Sequence, residues 1–350
     1  MTACSGNNQT ATQAFTPRPS ATFTPRSTEL PLVPTQVLIG SPEQPLKVLL
    51  VGERNAATNR AVTALEAALN DELDSFQLGF YNGLTVEVEV LETQEELLYR
   101  LCNSNDSVAF ANAFTFYAAY QQCGAQPVLQ TEREGRTGSN FELVVFRQRI
   151  FNIGNLDGRA LCIKSYDDLT SFIHPALAFR ANGLDPLREI ESITSGFTDD
   201  AEMALAVSGR FAPGQRPVCD AAAVPVGSFQ AIRNELLDPT REQSLTEQQF
   251  DNLLGVLTAE DGGWRQIPYD ILVFPPDRLL PNFMAVSSLT PETMSQNPLV
   301  VAFLGINEDA DEAKRELATL IPHDNIKTVQ TASYTTFLAW MNLTGWSMAR

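Results

Sequence analysis

The sequence predicts an α/β protein of two lobes, and three observations carry that prediction. Short apolar runs of strand length alternate with segments of helical periodicity from Leu46 to the C-terminus, the order that builds a parallel or mixed sheet covered by helices. The alternation completes one cycle and begins another after Glu142–Phe146. A chain of 350 residues is long enough for two domains of ordinary size.

The first cycle opens with Leu46–Val51, an apolar run ended by Gly52, and continues into a helix over Asn59–Leu73, where Ala61, Val62, Leu65, Ala68 and Leu69 share one face. Leu84–Leu91 sets Val86, Val88 and Val90 against Glu87 and Glu89, a strand with one polar face. Thr93–Cys102 reads as a helix capped by Thr93, with Glu96 at the reciprocal position. Ser107–Ala111, Phe114–Gln122 and Pro127–Gln130 repeat strand, helix and strand. In the second cycle Arg159–Ile163 is a strand, Ser171–Asn182 a helix ending at Gly183, Ala201–Ser208 a helix ending at Gly209, and Asp220–Pro225 a strand closed by Gly227 and Ser228. Leu245, Phe250, Leu253, Leu254 and Leu257 predict a helical excursion over 234–266. Tyr269–Phe274 is a strand broken at Pro275 and Pro276, followed by helices over Pro291–Gly305, Asp311–Leu320 and from Tyr334. Two strand segments therefore cross between lobes. This places 46–145 plus 275–350 in lobe 1 and 146–274 in lobe 2.

Composition narrows the function. Lys and Arg number 24 against 42 Asp and Glu, a formal charge of −18, which opposes nonspecific binding to nucleic acid. Two histidines, His174 and His323, leave little for a His-rich metal site or a Ser/His/Asp triad. No P-loop, GxSxG, HExxH or CxxC pattern occurs, so the chain reads as a non-enzyme that needs neither metal nor cofactor.

Residues 1–45 contain seven prolines and eight threonines, with Arg18, Arg26, Glu29 and Glu43 as their only charges. Such a segment buries too little apolar surface to offset its ordering entropy and predicts a disordered tether. Thr2-Ala3-Cys4-Ser5-Gly6 resembles the end of a bacterial lipoprotein signal, in which the cysteine becomes the lipidated residue; the apolar stretch that should precede it is absent. The alternative is a chance cysteine in a disordered tail. Cys102, Cys123, Cys162 and Cys219 remain in the body. They are either four buried thiols or, in an exported protein, the pairs Cys102–Cys123 and Cys162–Cys219, each within one lobe so that the hinge stays free.

A resemblance gives this outline a function. Asn155–Ile163 resembles the DLKGK strand entry of the periplasmic solute-binding proteins of ABC importers, most closely the phosphate/phosphite/phosphonate-binding (PhnD-like) family. Ala109–Phe116 falls at that family's first-lobe ligand loop, and Cys123–Val128 resembles its AGAEPL strand. Ser195–Ala201 resembles its SGSHDAS helix start, Cys219–Val224 its DAAAVD strand and Val273–Pro281 its return crossing. The resemblance implies a two-lobe periplasmic-binding-protein-like fold of type 2 with a hinge of two crossing strands. It also implies an extracytoplasmic lipoprotein, anchored through Cys4, that captures a small oxyanion or phosphonate-like solute for an ABC permease. The alternative on the same scaffold is a ligand-sensing or partner-docking lipoprotein.

By the same resemblance the ligand lies between the lobes, contacted by Asn112, Phe114 and Thr115 from one side and by Thr170, Ser171, Thr198, Asp199 and Asp220 from the other. Helix starts of this kind offer backbone N–H groups and hydroxyls to an oxyanion. Capping alone also explains Thr170 and Ser171, and first-turn charge explains Asp199. Asp168 and Leu169 stand where the family has hydroxyls, and Thr198 where it has a histidine. A carboxylate beside a dianion is unfavourable, so these departures imply a ligand that is less charged, zwitterionic or differently posed.

Overall fold

The computed structural model describes residues 39–75, 84–209, 218–240, 244–275, 297–308 and 312–347. Cys4, most of the Thr/Pro-rich segment and the return crossing beyond Pro275 lie outside the described residues.

The first six-stranded sheet has the order β13-β4-β12-β3-β1-β2. Its strands are β1 (Leu46–Val51), β2 (Val86–Leu91), β3 (Ser107–Ala111), β4 (Gln126–Glu132), β12 (Ile271–Phe274) and β13 (Asn325–Thr328). β1 pairs parallel with β2 and β3, whereas β12 pairs antiparallel with β3 and β4. On one face lie α1 (Ala56–Ser75), α9 (Pro298–Glu308) and α10 (Glu312–Leu320); α2 (Gln94–Asn103) and α3 (Ala113–Cys123) cover the other. Side-chain caps fix these starts: Thr93 Oγ1 accepts from Glu96 N–H, and Asn55 Oδ1 accepts from Ala57 and Thr58 N–H.

The second sheet has five strands in the order β10-β6-β9-β7-β8: β6 (Phe141–Phe146), β7 (Ala160–Cys162), β8 (Ser192–Thr194), β9 (Ala221–Pro225) and β10 (Leu254–Leu257). Helices α4 (His174–Ala181), α5 (Asp200–Ser208), α6 (Ser228–Leu237), α7 (Glu247–Leu253) and α8 (Ala259–Gly262) belong to this half. The stretch expected as a helical excursion therefore contains a strand. Leu254–Leu257 is apolar at both ends with Gly255 between, too short and too weak for a helix, and it pairs antiparallel with β6 along the sheet edge.

A two-stranded ribbon joins the sheets, with β5 (Gly138–Ser139) antiparallel to β11 (Ile267–Pro268). Gly138 is required there, because a Cβ would run into the Ile267 carbonyl. The ribbon sets strand direction. β12 leaves it, so β3, antiparallel to β12, runs toward it and ends there at Ala111. β6 also leaves it, so β9 ends toward it at Pro225, and β7 and β8, parallel to β9, end there too. The carboxyl ends of the parallel strands in both sheets thus meet the hinge, where open α/β sheets place their ligands. Because β6 lies whole in the second sheet, we propose that the first crossing falls before Phe141.

One core cluster runs across both halves. Leu49, Ala109 and Phe116 join Phe141, Leu143, Ala221 and Leu177 through the C-terminal helix α11 (Thr335–Thr344), which contributes Phe337, Leu338, Trp340 and Met341. At its centre Phe141 stacks on Trp264 with ring centroids 4.3 Å apart, and the His174 ring sits 4.8 Å from Phe141 and 5.8 Å from Trp340. Residues 39–45, assigned to the tether by composition, are built into the fold instead. Ile39 packs on the core, Gly40 N–H bonds to the Gln44 carbonyl at 2.7 Å, and Thr85 N–H bonds to the Gly40 carbonyl at 2.6 Å. Both within-lobe disulfides are formed, Cys102–Cys123 and Cys162–Cys219, with Cα atoms 5.6 and 5.7 Å apart.

Candidate functional site

Four loops at the hinge-facing strand ends form the candidate site. In the first half, the segment after β1 places the Arg54 guanidinium on the Val90 carbonyl, with Nε at 3.3 Å and Nη2 at 3.2 Å. Glu53 and Glu92 line a cavity of about 650 Å³ beside it. After β3, Asn112 caps α3, its Oδ1 accepting from Thr115 N–H at 2.9 Å. Thr115 itself is fully buried and donates its hydroxyl to Gln94 Oε1 at 2.7 Å. It supports the loop from behind and is not placed to touch a solute. Phe114 is half-buried against Trp346, ring centroids 5.2 Å apart.

In the second half the loop after β7 runs into a wide helical turn, Leu169–Ile173, where His174 N–H reaches back to the Leu169 carbonyl. Pro175 accounts for that turn: it has no N–H, and its ring would press on the carbonyl four residues earlier. Asp168 caps the turn, its Oδ1 accepting from Ser171 N–H at 2.6 Å. Ser171 Oγ accepts from Lys164 N–H at 3.0 Å, and its side chain is almost wholly buried. The loop after β8 follows the same plan. Asp199 Oδ1 accepts from Glu202 N–H at 2.6 Å, and Glu202 Oε2 takes both the Thr198 N–H at 3.2 Å and its hydroxyl at 3.3 Å. Lys164 Nζ lies 2.9 Å from Asp200 Oδ1, and Gly196 N–H bonds to the Lys164 carbonyl, so the two loops form one unit.

The consequence is electrostatic. Several donors at these two helix starts are already met by carboxylates of the same loops: Ser171 N–H by Asp168, Glu202 N–H by Asp199, Thr198 by Glu202, and the Lys164 ammonium by Asp200. Negative charge at a helix start is favourable in itself. Here it belongs to the protein rather than to a bound anion.

Of the residues expected to touch the ligand, the hinge-facing loops hold Asn112, Phe114, Thr115, Thr170, Ser171, Thr198 and Asp199. Asp220 is elsewhere. It precedes β9 and pairs with the chain at Phe146, the end of the second sheet farthest from the ribbon. There its Oδ1 is 3.0 Å from Arg149 Nη1, and its Oδ2 accepts from Ala160 N–H at 3.2 Å. The motif match located the strand correctly and the wrong end of it. Lys164 and Tyr166 were missed. Tyr166 is 53% exposed and packs edge-on to Phe172 at 5.0 Å, so an aromatic edge and a cation stand at the mouth of the loop. Their place directly after a buried strand was the available signal.

Residues 50–216 match the family described as ABC transporter, phosphonate, periplasmic substrate-binding protein. No curated protein matches the chain. Among solved structures, a binding-protein component of an ABC phosphonate transporter from Pseudomonas aeruginosa is similar at 14% identity, with 85% of each chain covered and a TM-score of 0.41. PhnD1 from Prochlorococcus marinus, solved in complex with methylphosphonate, is 14% identical over 85% of this chain and 97% of that one, with a TM-score of 0.42. XAC2383 from Xanthomonas citri, solved bound to ATP, is 12% identical over 86% of this chain and 97% of that one, with a TM-score of 0.48. The family match spans every loop residue of the site just described, so it is the stretch carrying those loops that is similar to the phosphonate-binding periplasmic substrate-binding proteins of ABC transporters.

Proposed function

We propose that this protein captures, for an ABC permease, a solute less anionic than free phosphonate, one carrying an amine or hydroxyl beside any acidic group. The carrying observation is that Asp168, Asp199, Asp200 and Glu202 already occupy the Ser171, Glu202, Lys164 and Thr198 donors of the second-half loops. A ligand dianion entering there meets carboxylates, whereas an ammonium or hydroxyl group finds acceptors. The Thr170 hydroxyl, the Tyr166 edge and the Asn112 loop supply the remaining contacts in this reading. Proteins of this family work outside the cytoplasm, and two disulfides suit that compartment. Cys4 is the proposed site of lipid attachment, supported by its Thr-Ala-Cys-Ser-Gly surroundings and the Thr/Pro-rich run behind it.

A matched pair of solutes tests the reading, because methylphosphonate and aminomethylphosphonate differ by one amine. In thermal-shift measurements aminomethylphosphonate stabilises the protein by about 2.7 kcal/mol over the ligand-free form once its concentration is 100 times Kd, and methylphosphonate or inorganic phosphate at the same concentration stabilises it less. Equal or greater stabilisation by methylphosphonate overturns the charge argument. No shift with any of the three favours the partner-docking alternative.

A further inference from the structure

We propose that a second site, separate from the loops above, binds the oxyanion group of a small solute at the hinge itself. A cavity of about 480 Å³ lies against the ribbon, lined by Arg136, Thr137, Asn140 and Gln266 from the two crossings, Glu132 and Lys327 from the first sheet, and Val226 just after β9 of the second. Its donors are oriented before any ligand arrives. Asn140 Oδ1 accepts from Trp264 Nε1 at 3.0 Å and from Phe141 N–H at 2.9 Å. That geometry turns its NH₂ away from both. Gln266 Nε2 donates to Thr137 Oγ1 at 3.2 Å, which leaves the threonine hydroxyl hydrogen to point elsewhere.

The charge at this cavity is set by Arg136. Glu132 is held by Lys327 Nζ at 2.7 Å and Asn325 Nδ2 at 2.7 Å, which keep its carboxyl below the usual range, with the Lys327 bond the larger cause. The pair is neutral together. Arg136 is exposed, and among the described residues its guanidinium has no hydrogen bond or ion pair. It is nevertheless carried on a fixed turn. Arg133 and Arg136 exchange both backbone hydrogen bonds, and Glu134 and Gly135 take φ of +52° and +69° between them. Arg133 pins the turn by donating to Asp270 and to the Pro322 carbonyl, each at 2.7 Å, while lying over the Tyr269 ring. One arginine is thus structural and the other is left facing the cavity, a planar fork suited to a carboxylate or a phosphoryl group. An anion here touches both crossings and both sheets, so its binding couples to the hinge.

The test is a pair of titrations of the full chain, with inorganic phosphate and with acetate, followed by the NMR signals of the Asn140 side-chain amide and the backbone amides of 135–138. Saturable shifts of these signals are expected with at least one of the two anions, and the responding anion identifies the group bound. Arg136→Gln weakens the response about tenfold or more, Arg136→Lys restores part of it, and Thr170→Val in the interlobe loops leaves it unchanged. Only the backbone of Arg136 is bonded among the described residues, and side-chain variants keep that backbone pairing, so they fold. Absence of saturable shifts with both anions, or an Arg136→Gln response equal to the parent's, overturns the proposal whatever the outcome at the interlobe loops.

Discussion

Replacing Cys162 and Cys219 together by alanine is expected to lower the unfolding free energy by about 4 kcal/mol, the largest effect foreseen for any pair of positions in this fold. The bridge closes a span of 57 residues and ties β7 to the start of β9, neighbours in the second sheet, with both cysteines buried. In the chain-entropy account a loop of that length contributes about 4 kcal/mol by restricting the unfolded state, and the 21-residue span of Cys102–Cys123 about 3 kcal/mol. Urea unfolding of the double variant, beside the parent with and without reductant, reads the difference. An unchanged midpoint in both the variant and the reduced parent contradicts the pairing.

Acid is expected to act through His174. Its ring is wedged between Phe141 and Trp340, with Nε2 donating to the Arg265 carbonyl at 2.7 Å, and burial pushes its pKa from 6.5 down to about 4. In the unfolded chain the same imidazole takes up a proton near pH 6.5. The unfolded state therefore binds more protons between the two values, and the stability present above pH 6.5 falls as pH drops toward 4. The loss from this residue is about 3 kcal/mol by the time the folded pKa is passed. A His174→Gln variant, less stable at neutral pH, should lose less than the parent over this window in urea titrations. Parallel curves for parent and variant would exclude the mechanism.

Much of the frame was legible because it rests on local chemistry. Val86, Val88 and Val90 alternate with glutamates and form β2, and Thr93 and Asn112 cap the helices they precede. For the cysteines the sequence left four buried thiols or two bridges, each on one side of the hinge, and the bridges are what forms. Where reading failed, the deciding contacts were distant in sequence. Leu254–Leu257 has apolar spacing compatible with a helix, and only β6, more than a hundred residues earlier, makes it a strand. Ile39–Gln44 is held by Gly40 meeting Thr85 across a separate loop. Asp220 illustrates the limit for sites. Its Ala-rich strand was recognised, but the end of the strand that faces the hinge depends on sheet direction, which sequence spacing does not carry. The departures at Asp168 and Thr198 were visible as letters. That their loops satisfy their own donors required the hydrogen bonds themselves.

If carboxylates of the protein stand where an oxyanion would otherwise be received, Asp168→Ser opens that place directly. Serine caps a helix start about as well as aspartate, so the turn at Leu169–Ile173 is retained while a charge beside Ser171 N–H is removed. Calorimetric titration with methylphosphonate should show binding at least about tenfold tighter in the variant than in the parent, the scale of one unfavourable charge contact relieved near the protein surface. Affinity for methylphosphonate that is unchanged or weaker in Asp168→Ser would contradict the claim.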